Sequence, residues 1–250
     1  MALADPDITE DAVLGGSLHL RQPRRGHRVG HDAILLAAAS GGAYGERAID
    51  LGAGVGSAGL ALARRVPGLL VTLVEIDKAL CELARQNVIL NRFEERVDII
   101  RADAGHLDLP PATADRVLMN PPFNDPTRQN ISPDASRALA HTADPDTLRS
   151  WAKSAARLLK PQGTLTLIWR ADGLADVVNA LAADFGTLVV LPVHPRPGVP
   201  AIRVLVRAQK SGQAPLALLP GLELNDANGK PSAAAEAVLR GAEALPLANA

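Results

Sequence analysis

The sequence predicts an α/β protein: a doubly wound, mostly parallel sheet with helices on both faces. Three observations carry that reading. From Arg47 to about residue 207, short Leu-rich and β-branched runs alternate with stretches of helical period, the pattern of strand–helix–strand units. The run Leu69–Ile76 is apolar almost throughout, as expected of a strand buried on both faces. Runs at about 187–193 and 201–207 are joined only by His194–Pro200, too short for a crossover helix, so this last pair is antiparallel. Five parallel strands plus the terminal antiparallel pair give an expected sheet of seven.

In chain order, residues 1–16 are acidic and read as loosely held, and residues 17–31 carry His19, Arg21, Arg24, Arg25, His27, Arg28 and His31. Asp32 stands where an N-cap would precede the short apolar helix Ala33–Ala39. Arg47–Leu51 is a strand ending in glycines, and Ser57–Arg65 is a helix broken by Pro67-Gly68. After the strand Leu69–Ile76, Asp77 caps a helix running to about Leu90. Val97–Arg101 and Asp115–Met119 are the next strands, the second stopped by Pro121-Pro122. Residues 124–145 read as a long polar loop, Pro145–Leu159 as a helix ended by Lys160-Pro161-Gln162-Gly163, Thr164–Trp169 as the fifth strand and Gly173–Asp184 as a helix. In the last stretch, Leu222-Glu-Leu is expected to pair as a strand and Ser232–Leu239 to form a helix. The expected division is an arm over 1–31, a main domain over 32–210 and an extension over 211–250.

Composition excludes several functions. The 250 residues are 47% hydrophobic and 21% charged, an ordinary globular balance that rules out a disordered, collagenous or coiled-coil chain. One cysteine, Cys81, permits neither an internal disulfide nor a Cys-based zinc site, and it falls where a small apolar residue would pack. With three Phe, two Trp and one Tyr, a multi-aromatic stacking platform is not expected; Trp151 and Trp169 occupy apolar positions and read as core. Net charge is −1, so an anionic partner must be met by a local patch. No apolar run is long enough for a membrane span. The start Met1-Ala-Leu-Ala-Asp-Pro-Asp lacks the basic and apolar segments of a secretory signal, so a cytoplasmic protein is expected.

The strongest motif is Asp50-Leu-Gly52-Ala-Gly54-Val-Gly56, which joins a strand to a helix. Glycines there allow a tight turn and let a ligand approach the backbone. A shifted frame, Gly54-Val-Gly56-Ser-Ala-Gly59, fits a dinucleotide fingerprint, so the glycines alone do not choose the ligand. The acids do. Asp50, two positions before the first glycine, would repel a pyrophosphate and suits a ligand with an amino group and no phosphate. Glu75 and Asp103 end the next two strands, where open α/β sheets bind ligands. Glu75 can accept from ribose hydroxyls and Asp103 from an adenine amine. Together these residues describe a pocket for S-adenosylmethionine and its product, S-adenosylhomocysteine.

With these residues in place, the chain over about 17–210 resembles class I S-adenosylmethionine-dependent methyltransferases. The resemblance implies a Rossmann-like methyltransferase fold. It also implies a cofactor site lined by Asp50, Gly52, Ala53, Gly54, Gly56, Glu75, Ile76, Asp103, Ala104 and Asn120. The block Arg28-Val-Gly-His-Asp32-Ala-Ile-Leu-Leu-Ala is similar to the segment these enzymes fold over the methionine end of the cofactor, which adds Asp32. Close relatives carry a small residue such as Thr before this Asp; here it is His31, so no hydroxyl contact carries over.

Asn120-Pro121-Pro122-Phe123 directly follows the fourth strand. Two prolines fix the backbone and remove two N–H donors. The Asn120 amide oxygen and the Pro121 carbonyl can then accept from a single amine, while Phe123 offers a flat face to a planar substrate. A conjugated exocyclic amine is a poor nucleophile, and acceptors that pull on its hydrogens stabilise the charge that develops as a methyl group arrives. No metal is needed. In this position the motif resembles that of amino methyltransferases acting on adenine, on guanine or on a protein glutamine.

Only 49 residues precede Asp50, which disfavours the release-factor glutamine enzymes with their large leading domain. The duplicated or appended domain common in ribosomal guanine N2 enzymes is also not expected here. The whole chain most resembles the bacterial family that includes the valine-tRNA adenine-N6 methyltransferase, which implies RNA, specifically tRNA, as partner. Charge agrees: residues 185–212 hold Arg196, Arg203, Arg207, Lys210 and His194 with no acid. Together with Arg24, Arg25 and Arg28 they are candidates to meet phosphates. They are expected on the same side as the Phe123 pocket. Competing readings are a guanine or protein N-methyltransferase, a non-catalytic cofactor- and RNA-binding module, and a nicotinamide dehydrogenase. The last rests only on the shifted glycine frame and lacks a catalytic Tyr-Lys or His pairing.

Overall fold

The computed structural model describes residues 7–25, 28–122 and 145–249. Chain order begins with strands β1 (Ile8–Val13) and β2 (Leu18–Pro23), then helix α1 (His31–Ser40). The alternating part is β3 (Arg47–Leu51), α2 (Ser57–Arg65), β4 (Leu70–Glu75), α3 (Lys78–Leu90), β5 (Val97–Arg101) and β6 (Ala114–Met119). It continues with α4 (Pro145–Leu158), β7 (Leu159–Arg170), α5 (Leu174–Leu181), β8 (Phe185–His194) and β9 (Arg203–Lys210). Two short strands, β10 (Ala217–Leu218) and β11 (Leu222–Glu223), and helix α6 (Ala233–Leu239) complete the described elements, apart from short 3-10 turns.

The main sheet runs β10-β8-β9-β7-β6-β3-β4-β5, with β11 also on β8. Strands β5, β4, β3, β6 and β7 are parallel, and β9 is antiparallel to both β7 and β8. This is the expected five-plus-two arrangement. The count is nine because β10 and β11, two residues each, extend the β8 edge. The expected helix at 173–184 is shorter, Leu174–Leu181, and the fifth strand begins at Leu159 because an irregularity lets the chain rejoin β6 at Thr164. Asp77 caps α3 as read, accepting from the amides of Ala79 and Leu80 at 2.7 and 3.0 Å.

The first correction is at the start. Residues 8–13 are not loose: β1 pairs with β2 in an antiparallel hairpin that turns through Gly15 and Gly16 at φ +63° and +91°. Leu18 and Leu20 face the core, and Gln22 is buried, donating to Asp11 (2.7 Å) and accepting from the Val29 amide (2.7 Å). The hairpin docks on α3 through two asparagines one turn apart. Asn87 accepts from Arg21 N (2.6 Å) and donates to Arg21 O (2.9 Å); Asn91 accepts from His19 N (2.9 Å) and donates to His19 O (2.6 Å). Their amides complete the free edge of β2 as a neighbouring strand would.

The core lies in two layers, one on each face of the sheet. One joins α1 and α2 to Leu118, Ile168, Leu191 and Leu205; the other joins α4 and α5 to Ile49, Val117, Leu167 and Val206. Every residue of α1 from Ala33 to Ser40 is buried, so this helix needs cover on its outer side as well. The last forty residues supply part of it: Leu247 is fully buried, Leu245 N donates to Ala38 O at 2.9 Å, and Arg65 holds the carbonyls of Val238 and Glu243.

Candidate functional site

The parallel order β6-β3-β4-β5 brings the sequence-predicted acids and Asn120 to one edge of the sheet, at the carboxyl ends of adjacent strands. With strands about 4.8 Å apart, the row from β6 to β5 spans about 14 Å.

After β3 the chain turns through the glycine loop into α2. Gly52 has φ +70°, and a β-carbon there would lie 2.3 Å from Cη2 of Trp151, so the indole rests directly on the loop. Trp151 is half-buried: as its sequence position suggests it packs against the core layer of α4 and α5, and its indole also rests on the loop. At Gly54, φ +58°, nothing lies within 4 Å of a β-carbon position; the backbone there is open to a ligand. Ala53 and Gly56 are buried in the loop.

Each acid at the edge already holds part of the backbone. Asp50 is only 2% exposed and accepts from the Gly59 amide at 2.8 Å. Burial pushes its carboxyl up to about 7, opposed by that amide and reinforced by the Glu75 charge. Asp50 thus lies beneath the loop and braces it against α2. Glu75 accepts from the Gly54 amide with one oxygen and from the Asp77 amide with the other, both at 2.8 Å. Next to it Ile76 is 62% exposed, an apolar side chain presented to solvent at the mouth of the row. Asp103 is half-exposed; it accepts from the Gly105 amide (2.8 Å), and His106 Nδ1 stands 3.0 Å from its other oxygen. The His106 contact and the Gly105 amide hold its carboxyl below the usual range. Ala104 beside it is buried.

Asn120 follows β6. Its Oδ1 is buried and has no hydrogen-bond partner among the described residues. A buried amide oxygen left unpaired costs about 1–3 kcal/mol. Pro121 is buried and Pro122 half-buried, and neither has an N–H to offer. Phe123 and the loop expected over 124–145 lie outside the described residues, apart from Pro145 at the start of α4.

The residues expected to meet other groups divide. Asp32 does not cap α1; Gly30 occupies the N-cap, and Asp32 in the first turn pairs with Arg203 at 3.0 Å. Arg203, assigned to RNA by its sequence, is thereby tied to the first turn of α1. Arg28 pairs with Asp11 at 2.8 Å, while Arg24, Arg25 and Arg196 are exposed. Arg207 is a correction: it is not at the carboxyl edge. It pairs in register with Thr166, four residues in from Arg203, and its buried Nε has no partner among the described residues. Burial lowers its pKa, with Arg116 adding to the effect.

Sequence reasoning missed three supports. Asn87, fully buried, also donates to Val55 O at 2.9 Å and so ties the hairpin to the glycine loop. Ser154 and Ser150 of α4 donate to Gly105 O at 3.0 and 3.4 Å, and Trp151 covers Gly52. The signal for Asn87 was a polar residue on the inward stripe of an amphipathic helix. The α4 contacts are long-range and leave no local trace.

The donor set fits S-adenosylmethionine: acids at three successive strand ends, an open glycine backbone and an exposed Ile76 beside Glu75. Among the described residues no helix is long and apolar enough to cross a membrane, and no group of His, Cys, Asp and Glu is placed to hold a metal ion.

The "methyltransferase small domain" family model matches residues 32–193. The chain is 31% identical over 183 residues to a tRNA1(Val) (adenine(37)-N6)-methyltransferase of Bacteroides thetaiotaomicron, covering 72% of this chain and 75% of that one. It is 32% identical over 193 residues to the protein of the same name from Aeromonas hydrophila, covering 76% and 79%. A crystal structure from Agrobacterium tumefaciens, described as "a predicted O-methyltransferase", superposes with a TM-score of 0.73 at 29% identity, covering 86% of this chain and 98% of that one.

Proposed function

This chain belongs to the methyltransferase small domain family and is an S-adenosylmethionine-dependent methyltransferase, and we propose that its acceptor is the N6 amine of an adenine in tRNA. The single observation that carries the choice of acceptor is Asn120 Oδ1, buried at the end of β6 with no partner among the described residues. Such an oxygen is a hydrogen-bond acceptor and a very weak base. It suits an –NH2 group, which brings its own donors, better than a hydroxyl, which needs a base to take its proton.

Asp50, Gly52, Ala53, Gly54, Gly56, Glu75, Ile76, Asp103, Ala104 and Asn120 would hold the cofactor, with Asp32 near its methionine end. Bound S-adenosylmethionine supplies an electrophilic methyl group on a sulfonium. Asn120 would accept one N–H of the amine and keep its nitrogen aimed, and the Pro121 carbonyl is the candidate second acceptor. Both stabilise positive charge developing on nitrogen, an interaction stronger in the transition state than in the ground state. Because Pro121 and Pro122 carry no N–H, no local donor competes for the Asn120 oxygen. Phe123 would stack on the base. With the cofactor bound, the methyl carbon would pass from sulfur to this nitrogen, leaving S-adenosylhomocysteine, and the extra proton would leave to solvent.

Names of the relatives at 31% and 32% identity support adenine in tRNA. Arg24, Arg25 and Arg196, exposed, and Arg28 and Arg203, part-buried in ion pairs, are proposed RNA contacts; with a tRNA substrate the reaction belongs in the cytoplasm. The arm, main domain and extension are proposed to act as one unit. Mass spectrometry of nucleosides from tRNA and ribosomal RNA of cells lacking this protein tests the reading. Loss of N6-methyladenosine from one tRNA supports it; loss of N2-methylguanosine from ribosomal RNA, with tRNA unchanged, overturns it.

A further inference from the structure

The carboxyl edge continues past Asn120 towards β8, and a cavity lies there. β8 stands three strands from β6, about 14 Å along the edge. At its end, His194, Gly198, Val199, Pro200, Gly221 and Glu223 line a cavity of about 410 Å³, within the roughly 300–1,000 Å³ range of small-molecule sites. None of the described cofactor or catalytic residues borders it.

Register builds this cavity. β11 pairs parallel with β8 so that Glu223 stands opposite His194, and partners in a ladder project to the same face. Two residues earlier, Gly221 lies on that face too, and a β-carbon there would meet the His194 ring at 2.6–2.7 Å; only glycine leaves room for the imidazole. The ring is fixed on its other side, with Nδ1 2.8 Å from the Val199 carbonyl. A carbonyl only accepts, so Nδ1 carries a proton and donates to it, which leaves Nε2 on the Gly221 side. The Glu223 carboxylate is exposed and has no hydrogen-bond or ion-pair partner among the described residues. The carboxylate and the imidazole therefore share a cavity with no other acid among the described residues that line it, beside a stretch, 185 to 212, that holds none.

We propose that this cavity binds an unpaired guanine of the substrate RNA, at a nucleotide away from the methylated adenine; the assignment rests on the RNA reading above. A carboxylate in a cavity with no Lys or Arg among the described residues that line it does not suit a phosphate. It suits the Watson–Crick edge of a base with two adjacent donors, and of the four bases only guanine has them, at N1 and N2. A carboxylate meets both with its two oxygens, as it meets the forked donors of arginine. Single-stranded RNA is read in this way, by its Watson–Crick edges and by stacking on rings such as imidazole. Arg196, exposed in the turn that walls the cavity, supplies a phosphate contact beside it.

Two measurements decide the matter. Guanosine, inosine and adenosine 5′-monophosphates are titrated into the full chain while the amide resonances of Gly198, Val199 and Gly221 are followed. GMP should shift them, IMP and AMP should do so about tenfold more weakly, and Glu223→Ala should lose the GMP preference. Equal shifts by GMP and AMP, or an unchanged preference in Glu223→Ala, overturn the proposal whatever the enzyme methylates. Steady-state methylation of an unmodified tRNA transcript is the second measurement. Glu223→Ala should raise KM for RNA about tenfold with kcat and KM for S-adenosylmethionine unchanged. In the wild type, inosine in place of one loop guanine should cost as much, and the two changes together should cost no more than either alone. Fully additive losses at every guanine contradict it. GMP selectivity in a protein that transfers no methyl group to RNA would sustain the cavity and remove the substrate reading, so the two failures are distinct.

Discussion

On the β3-β4-β5 side of the carboxyl edge, each acid is satisfied before any ligand arrives: Asp50 by the Gly59 amide, Glu75 by those of Gly54 and Asp77, Asp103 by that of Gly105 and by His106. On the β6 side, one strand away, Asn120 Oδ1 is buried with no partner among the described residues. The contrast fits the roles proposed for the two sides. A cofactor site gains by being rigid, so its carboxylates first fix the loops that then meet the ligand. A site that acts on a transition state gains by withholding an acceptor until charge develops, and it carries the cost of an unpaired group in the resting state.

The largest expected effect breaks the β6 side. Asn120→Ala should lower kcat by about 10²–10³, as loss of one transition-state hydrogen bond does elsewhere. The dissociation constant for S-adenosylmethionine should rise far less than kcat falls, since Asn120 is one of ten residues proposed to hold the cofactor, and thermal stability should stay level or rise, since an unsatisfied acceptor has gone. Calorimetry and single-turnover kinetics on one preparation check this; lost cofactor binding together with a lower Tm would make the residue a structural one. Gly52→Ala attacks the other side. Positive φ and a β-carbon 2.3 Å from Trp151 should together cost about 3 kcal/mol of stability, and cofactor binding should weaken with it. Urea unfolding reads this, and a loss under about 1 kcal/mol would mean that the Trp151 contact is easily displaced.

Acidity provides a third, smaller test. The folded-state pKa of Asp50 is raised from 3.8 to about 7, so the folded protein holds this proton more tightly than the unfolded chain. Relative to an Asp50→Asn variant, stability is therefore greatest below the unfolded value and falls as pH rises towards 7, by about 2 kcal/mol between pH 5 and 7. Parallel stability–pH curves for wild type and variant would show that Asp50 is ionised normally. The smallest effect concerns His106. Asp103 and His106 are both well exposed, so His106→Ala should alter S-adenosylmethionine affinity by no more than about threefold. A larger change would move His106 into the cofactor site itself.

The sequence made the two sides legible to different degrees. The glycine loop, Glu75 and Asp103 were readable because strand ends and turn residues are local signals, and Asp77 was read as the cap it is. Asn120 was readable as a motif, but its unpaired oxygen was not, since that depends on every neighbour in space. The β1–β2 hairpin was missed because acidic Asp7, Glu10 and Asp11 outweighed the alternation of Leu18, Leu20 and Gln22. Asp32 was read as a cap because caps are local, whereas its partner Arg203 lies 171 residues away. Arg207 shares its charge pattern with Arg196 and Arg203, yet four residues along a strand carry it about 13 Å from the edge.

The account turns on an amine acceptor meeting Asn120 at the end of β6. Its most direct test is methyl transfer by the purified full chain from isotopically labelled S-adenosylmethionine to total tRNA, followed by nucleoside digestion and mass spectrometry, with Asn120→Ala beside the wild type. The account predicts label in N6-methyladenosine for the wild type and at least about a hundredfold less for the variant at saturating cofactor. Label on a ribose or other hydroxyl oxygen, or N6-methyladenosine formed equally well by Asn120→Ala, would contradict it.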